Sequence, residues 1–286
     1  MRLKSYVSFL NESTSYEDLI DRDRAGENPK NFFNYFDGIY VINLKSRKDR
    51  LKMFTDQMKA SGVKDFVRIE AHDGKKNAEK VFKDPLYILD KYSDLCDTEK
   101  LAQKKRKSSI VECFGSYACA ESHRLAVMKA KADGCKTPLF LEDDASPTKA
   151  LFYRGSKMIE ELKKASYDIV NMGIVRMKFE GDHFSNGGLL RKLKHGNLTK
   201  FHAYTLNPDF YDDFLRYSLN SWYYHIDIQV TAECLKNGKS FYAFHPRPFT
   251  QLGDFSDIQQ KKIQKGGMDE IAFRFPHQPI RKDSYE

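Results

Sequence analysis

The run GIYVINL at residues 38–44 constrains the fold more than any other stretch of the chain. It is apolar with no polar–apolar alternation, the pattern of a strand covered on both faces, and such strands belong to parallel sheets flanked by helices. A helix should follow, with Ser46 as N-cap, Asp49 in its first turn, Leu51, Phe54 and Met58 on one face, and Gly62 as its stop. The stretch FVRIEA (66–71) reads as a short strand entering the turn HDG, and residues 75 to 110 as a polar, lysine-rich excursion outside the core.

Regular structure resumes with a helix capped by Ser116, carrying Ala118, Leu125, Met128 and Ala132 near one stripe and closing at Asp133-Gly134. TPLFLE is the next buried strand. Ser146 with Pro147 predicts another helix start, with Gly155 a point where that helix could break. YDIVNMG (167–173) and KFHAYTL read as strands, NPDFYDDFLRYSL and IDIQVTAECLKNG as helices, and SFYAFHP as the last strand. This β/α alternation predicts an α/β fold, a mainly parallel twisted sheet with helices on both faces.

In such sheets ligands bind at the carboxyl ends of the strands. LFLEDDASP (139–147) places Glu142, Asp143 and Asp144 at that edge. Side chains alternate along a strand, so Glu142 and Asp144 are expected to point to one side and Asp143 to the other. Converging carboxylates raise each other's proton affinity unless a cation lies between them. Oxygen ligands favour magnesium or manganese over zinc, and such ions are commonly shared with substrate phosphates. The same spacing also suits an acidic turn stabilised by a following helix N-terminus, with no metal.

At 286 residues and 41% hydrophobic content the chain can bury one large core or two small ones. Its net charge of +8 would suit a polyanion. The basic residues, however, collect at 100–109 and 189–200, which read as solvated loops, and no nucleic-acid-binding motif accompanies them. A small phosphorylated ligand suits a basic protein equally well. No run approaches the roughly 18 apolar residues of a membrane span, and the start MRLKSYVSFLNEST offers no cleavage site, so a cytoplasmic location is expected. Cys96, Cys113, Cys119, Cys135 and Cys234 form an odd set without CxxC spacing, against both a disulfide framework and a structural zinc site. Acceptor patterns at Asn11 and Asn197 matter only in a secretory compartment.

Several ordered segments together are similar to one family. YVINLKSRKDRLKMFTDQMKASGVKDFVRIEAHDG, then FGSYACAESHRLAVMKAKADGCKTPLFLEDDA, then YDIVNMG, resemble glycosyltransferase family 25, with lipopolysaccharide and collagen-modifying galactosyltransferases among its members. The match covers roughly residues 38 to 253. It rests on Ile42, Asn43, Leu44, Arg47 and Arg50, on Gly115, Ala118, Cys119, Ser122 and His123, and on LEDD at 141–144. HAYTL and HIDIQV add later matches, while Ala118 stands where a second glycine is usual.

The resemblance implies a GT-A-like domain at 38–255 between an N-terminal extension (1–37) and a C-terminal tail (256–286). The implied activity is inverting transfer of a hexose, usually galactose, from a UDP-sugar, with manganese or magnesium, to a glycan or hydroxylated protein acceptor. Glu142 and Asp144 would hold the ion, with His245 completing its shell. Asp227 is the nominated base for the acceptor hydroxyl and Asp143 the substitute, although Asp227 equally suits a helix N-terminus. Asn43, Leu44, Arg47, Arg50, Ser122 and His123 would serve the donor nucleotide, with Arg47 and Arg50 toward the diphosphate. Trp222, Tyr223 or Tyr224 could line the acceptor side or belong to the core, and Cys119 reads as structural. A non-catalytic nucleotide-sugar or glycan-binding protein of the same fold is the main alternative, and a nucleic-acid-binding protein the third.

Overall fold

The computed structural model describes residues 29–74, 110–174, 178–179, 188–195, 200–220 and 225–252. The excursion from 75, the basic stretch 100–109, Trp222, Tyr223, Tyr224 and the tail from 256 lie outside the described residues. In chain order the elements are α1 (Lys30–Phe33), β1 (Gly38–Leu44), α2 (Lys48–Ala60), β2 (Val67–Ala71), α3 (Ile110–Ala132), β3 (Pro138–Glu142), β4 (Ala145–Pro147) and α4 (Lys149–Lys164). They continue with β5 (Ile169–Asn171), β6 (Lys178–Phe179), β7 (Leu190–His195), β8 (Ala203–Leu206), α5 (Tyr211–Tyr217), α6 (Ile226–Lys236), β9 (Phe241–Phe244) and β10 (Phe249–Gln251).

Eight strands form one sheet in the order β2-β1-β3-β8-β5-β9-β7-β6. β1 is parallel to β2 and β3, and β9 is parallel to β5. β8 runs antiparallel to both β3 and β5, and β7 antiparallel to β9 and β6. Only β8 and β7 are therefore reversed, and the sheet is mostly parallel as the sequence predicts. β4 and β10 pair separately as a short antiparallel ribbon.

Strand alternation divides the core between the two sheet faces. Ile39, Val41, Leu139 and Leu141 bury against Phe54 and Met58 of α2 and Leu151, Phe152, Met158 and Leu162 of α4. Tyr40, Ile42 and Phe140 face the other way, toward Ala120, Ala126, Val127 and Ala130 of α3. On that face Tyr40, Phe140, Tyr204 and Phe214 stack in series, with successive centroids 5.6, 5.0 and 5.7 Å apart, tying β1, β3 and β8 to α5. Each such side chain contributes about 1.5–3 kcal/mol on burial. Phe32, Phe33 and Phe36, within the 1–37 segment read as an extension, are buried in the α2–α4 cluster. No helix of the described residues is long and apolar enough to cross a membrane.

Several local expectations are corrected. Ser46 does not cap α2: it sits in a turn closed by Arg47 N donating to Leu44 O (2.9 Å), and Arg47 occupies the cap position. Ser116 lies inside α3, which begins at Ile110, and its hydroxyl meets His225 Nδ1 at 3.3 Å. Ser146 and Pro147 are extended in β4 because they pair with Thr250 and Phe249, and α4 starts after Thr148. α4 passes through Gly155 unbroken. The basic stretch 189–200, read as a loop, contains β7, and SFYAFHP is not the last strand, since β10 follows it. Gly62 and Gly134 do end α2 and α3, at φ +83 and +67.

Candidate active site

Parallel strands bring their carboxyl ends to one edge, and the candidate residues gather there. β1 and β3 are in register at Ile42 and Glu142, and Asp143 N extends the ladder by donating to Ile42 O at 3.1 Å. The next residue of β1, Asn43, is buried and donates from Nδ2 to Asp143 Oδ2 (2.7 Å) and to Arg47 O (3.1 Å). Its Oδ1 accepts from Arg68 Nε at 2.9 Å, a contact from β2. Arg50, on the first turn of α2, lies 3.3 Å from Asp143 Oδ1 and 3.6 Å from Asp144 Oδ2.

The three acids do not simply alternate, because β3 ends at Glu142 and the next two residues form a turn. Asp143 and Asp144 share Arg50, whereas Glu142 reaches toward α3, its Oε1 3.2 Å from His123 Nε2. Gln251 Nε2 donates to Asp144 Oδ2 (3.1 Å) and Leu252 N to Asp144 O (2.8 Å), so β10 holds this turn in place. The other carboxylate oxygen, Asp144 Oδ1, is buried without a hydrogen-bond partner.

This concentration of charge alters the acids. Burial, and then the field of Glu142, push Asp144 up to about 8 against the pull of Arg50. Burial also raises Asp143, although Arg50 and Asn43 oppose it. For Glu142 burial acts in the same direction, but the hydrogen bond and field of His123, with His202 and Arg50, hold it below the ordinary range. One guanidinium therefore faces more carboxylate than it neutralises.

His123 is buried in α3, and its Nδ1 lies 3.0 Å from the Tyr204 hydroxyl of β8. One helical turn earlier stands Cys119, and the ligand atoms of Cys119, His123 and Glu142 all lie within 4.8 Å of one another. Burial drives the Cys119 thiol well above its usual range, and the fields of Glu142, Asp227 and Asp144 act in the same direction. Asp227 sits in the first turn of α6, accepting from Lys200 N on Oδ2 and from Ile228 N on Oδ1 (2.8 Å). Burial raises it, with both backbone donors opposing.

The remaining sequence candidates are placed differently. Arg47 forks onto Asp49 through Nε and Nη2, both at 3.1 Å. Leu44, half-buried, closes β1. Ser122 donates to Ala118 O (2.6 Å) and accepts from His72 N (2.9 Å), fastening the end of β2 to α3. His245 is exposed just after β9, its N donating to Leu189 O at 2.8 Å, and it does not join the Cys119–His123–Glu142 group. Arg68, Tyr204 and Gln251 went unsingled in the sequence. Their roles come from strand register and from the β4–β10 pairing rather than from any local motif.

Residues 36–230, more than half of the chain, match the family model of glycosyltransferase family 25 (LPS biosynthesis protein). Comparison with curated proteins gives no match.

Proposed function

Since the chain belongs to glycosyltransferase family 25, we propose that it moves a hexose, galactose being the first choice, from a UDP-sugar to a hydroxyl of a glycan or hydroxylated protein acceptor, with inversion. As a glycosyltransferase it takes a donor and an acceptor. The observation that supports this donor class most is the crowded acid edge, where Asp144 Oδ1 is buried without a hydrogen-bond partner. A manganese or magnesium ion fits such a donor set, because hard oxygen ligands are what these ions take and a bound cation would replace the proton that burial and Glu142 favour on Asp144. Glu142 and Asp144 would hold it, with Asp143 adjacent. His245 would have to approach from its exposed position after β9. When bound, the ion supplies positive charge against the charge that develops on a departing diphosphate.

The chain's own residues have separate tasks. Asn43 and Arg50 hold Asp143 in place at the acid turn. Asp227, with its pKa raised by burial and its carboxylate oriented by two backbone N–H groups, would take the proton of the attacking hydroxyl. Asn43, Leu44, Arg47, Arg50, Ser122 and His123 remain the donor-side candidates. In this structure Arg47 engages Asp49, and Ser122 and His123 make internal contacts.

The test is UDP release by the full chain from a panel of UDP-sugars, with manganese and candidate acceptors. Release that depends on the ion and falls in Asp144→Asn supports the assignment. Full rate in Asp144→Asn, or in chelator, contradicts it. Donor binding with no release under any acceptor indicates the non-catalytic alternative instead.

A further inference from the structure

We infer that Cys119, His123 and Glu142 form a cation site of a different chemical class from the oxygen-only set, one suited to a borderline ion of the zinc or cobalt type. A thiol, an imidazole and a carboxylate have their ligand atoms within 4.8 Å of one another. Cys119 and His123 stand four residues apart on α3, hence on one helix face, and Glu142 meets them from the end of β3. Sulfur and nitrogen donors with one carboxylate select zinc-like ions over manganese.

The surroundings fit ion binding in two further ways. Metal-bound histidines anchor their second ring nitrogen, and His123 has Nδ1 against the Tyr204 hydroxyl, leaving Nε2 toward Glu142. Cys119 and Glu142 are only partly buried, whereas His123 between them is buried. Three protein ligands leave the fourth tetrahedral position for water or a substrate atom, unlike the closed four-ligand structural site that the cysteine spacing argues against. Binding converts the Cys119 thiol to thiolate, and its proton passes to solvent. Because Glu142 belongs to both donor sets, a zinc-type ion here would compete with manganese for that carboxylate.

The site does not require sugar transfer, so direct ion binding tests it apart from the activity. Metal-free full chain is titrated with cobalt(II) and followed by absorption. The expected result is a near-ultraviolet sulfur-to-cobalt band that saturates at a single equivalent and is erased by zinc. Cys119→Ser should abolish the band, Tyr204→Phe should weaken cobalt binding about 10–100-fold, and Asp144→Asn should keep the band. If Cys119→Ser fails to fold by circular dichroism, His123→Gln and Glu142→Gln decide, each expected to lower cobalt affinity at least about tenfold. Absence of the band in the unaltered chain overturns the site. So does a band that survives Cys119→Ser, or cobalt affinity unchanged in both His123→Gln and Glu142→Gln.

Discussion

Asn43 Nδ2 donates to Asp143 Oδ2 at 2.7 Å, joining the ends of two neighbouring parallel strands across 100 residues of sequence. The same side chain accepts from Arg68 and donates to Arg47 O, so it connects β2, β1, α2 and the acid turn. Truncation leaves Asp143 and Arg68 each short of a buried partner. Hydrogen bonds to charged groups are worth about 1.5–3 kcal/mol, so Asn43→Ala should lose about 3 kcal/mol in urea unfolding. A loss under about 1 kcal/mol would show that water replaces the amide without cost.

Gly173 is predicted to admit no side chain. A Cβ there would lie 2.2 Å from His202 Cε1 and 2.3 Å from Nε2, and His202 is fully buried. Overpacking of this kind costs about 1–3 kcal/mol or more. Gly173→Ala should lower Tm, and adding His202→Ala should recover part of the loss, because the ring is what the methyl group meets. Additive losses in the double variant would contradict the packing account.

Asp37 gives the fold a pH dependence at its acid end. It accepts from Cys135 Sγ, Lys136 N and Thr137 N, each at 2.8 Å, anchoring the approach to β3 beside the start of β1. Burial works against the carboxylate, yet these donors lower it to about 2. With the folded pKa below the unfolded one, the group stabilises the fold above about pH 4, and that contribution is lost as pH falls through about 2. Melting curves should show a gap between the unaltered chain and Asp37→Ala at about pH 6 that narrows toward pH 2. A gap constant across that range would assign the effect to packing.

Asp227→Asn keeps the size of the side chain and an oxygen for a backbone donor but removes the base. Loss of a general base costs about 10²–10⁴-fold, and the fall should appear in kcat, with the donor KM little changed. An equal rise in KM with kcat preserved would move Asp227 from proton transfer to substrate binding.

Legibility in the sequence followed the kind of signal each element carries. GIYVINL, TPLFLE and the helices with one apolar face were readable because burial on two faces, or on one stripe, leaves a local pattern. β7 was not, since LRKLKH is lysine-rich and owes its strand state to pairing with β9 and β6. Ser146-Pro147 carries a sound helix-start signal, and pairing with β10, about 100 residues later, overrides it. Likewise the acids and Asn43 stand out in one dimension, but the link from Gln251 to Asp144 spans 107 residues and that from Arg68 to Asn43 spans 25. Both are set by tertiary pairing, to which no short motif refers.

The most direct test is calorimetric titration of UDP into the full chain, with manganese and with chelator, for the unaltered protein and for Asp144→Asn. If the edge carboxylates bind a cation that binds the diphosphate, UDP affinity should require manganese and fall at least about tenfold in the variant. UDP binding that is equal with and without the ion, or unchanged by Asp144→Asn, would contradict that role for the acid edge.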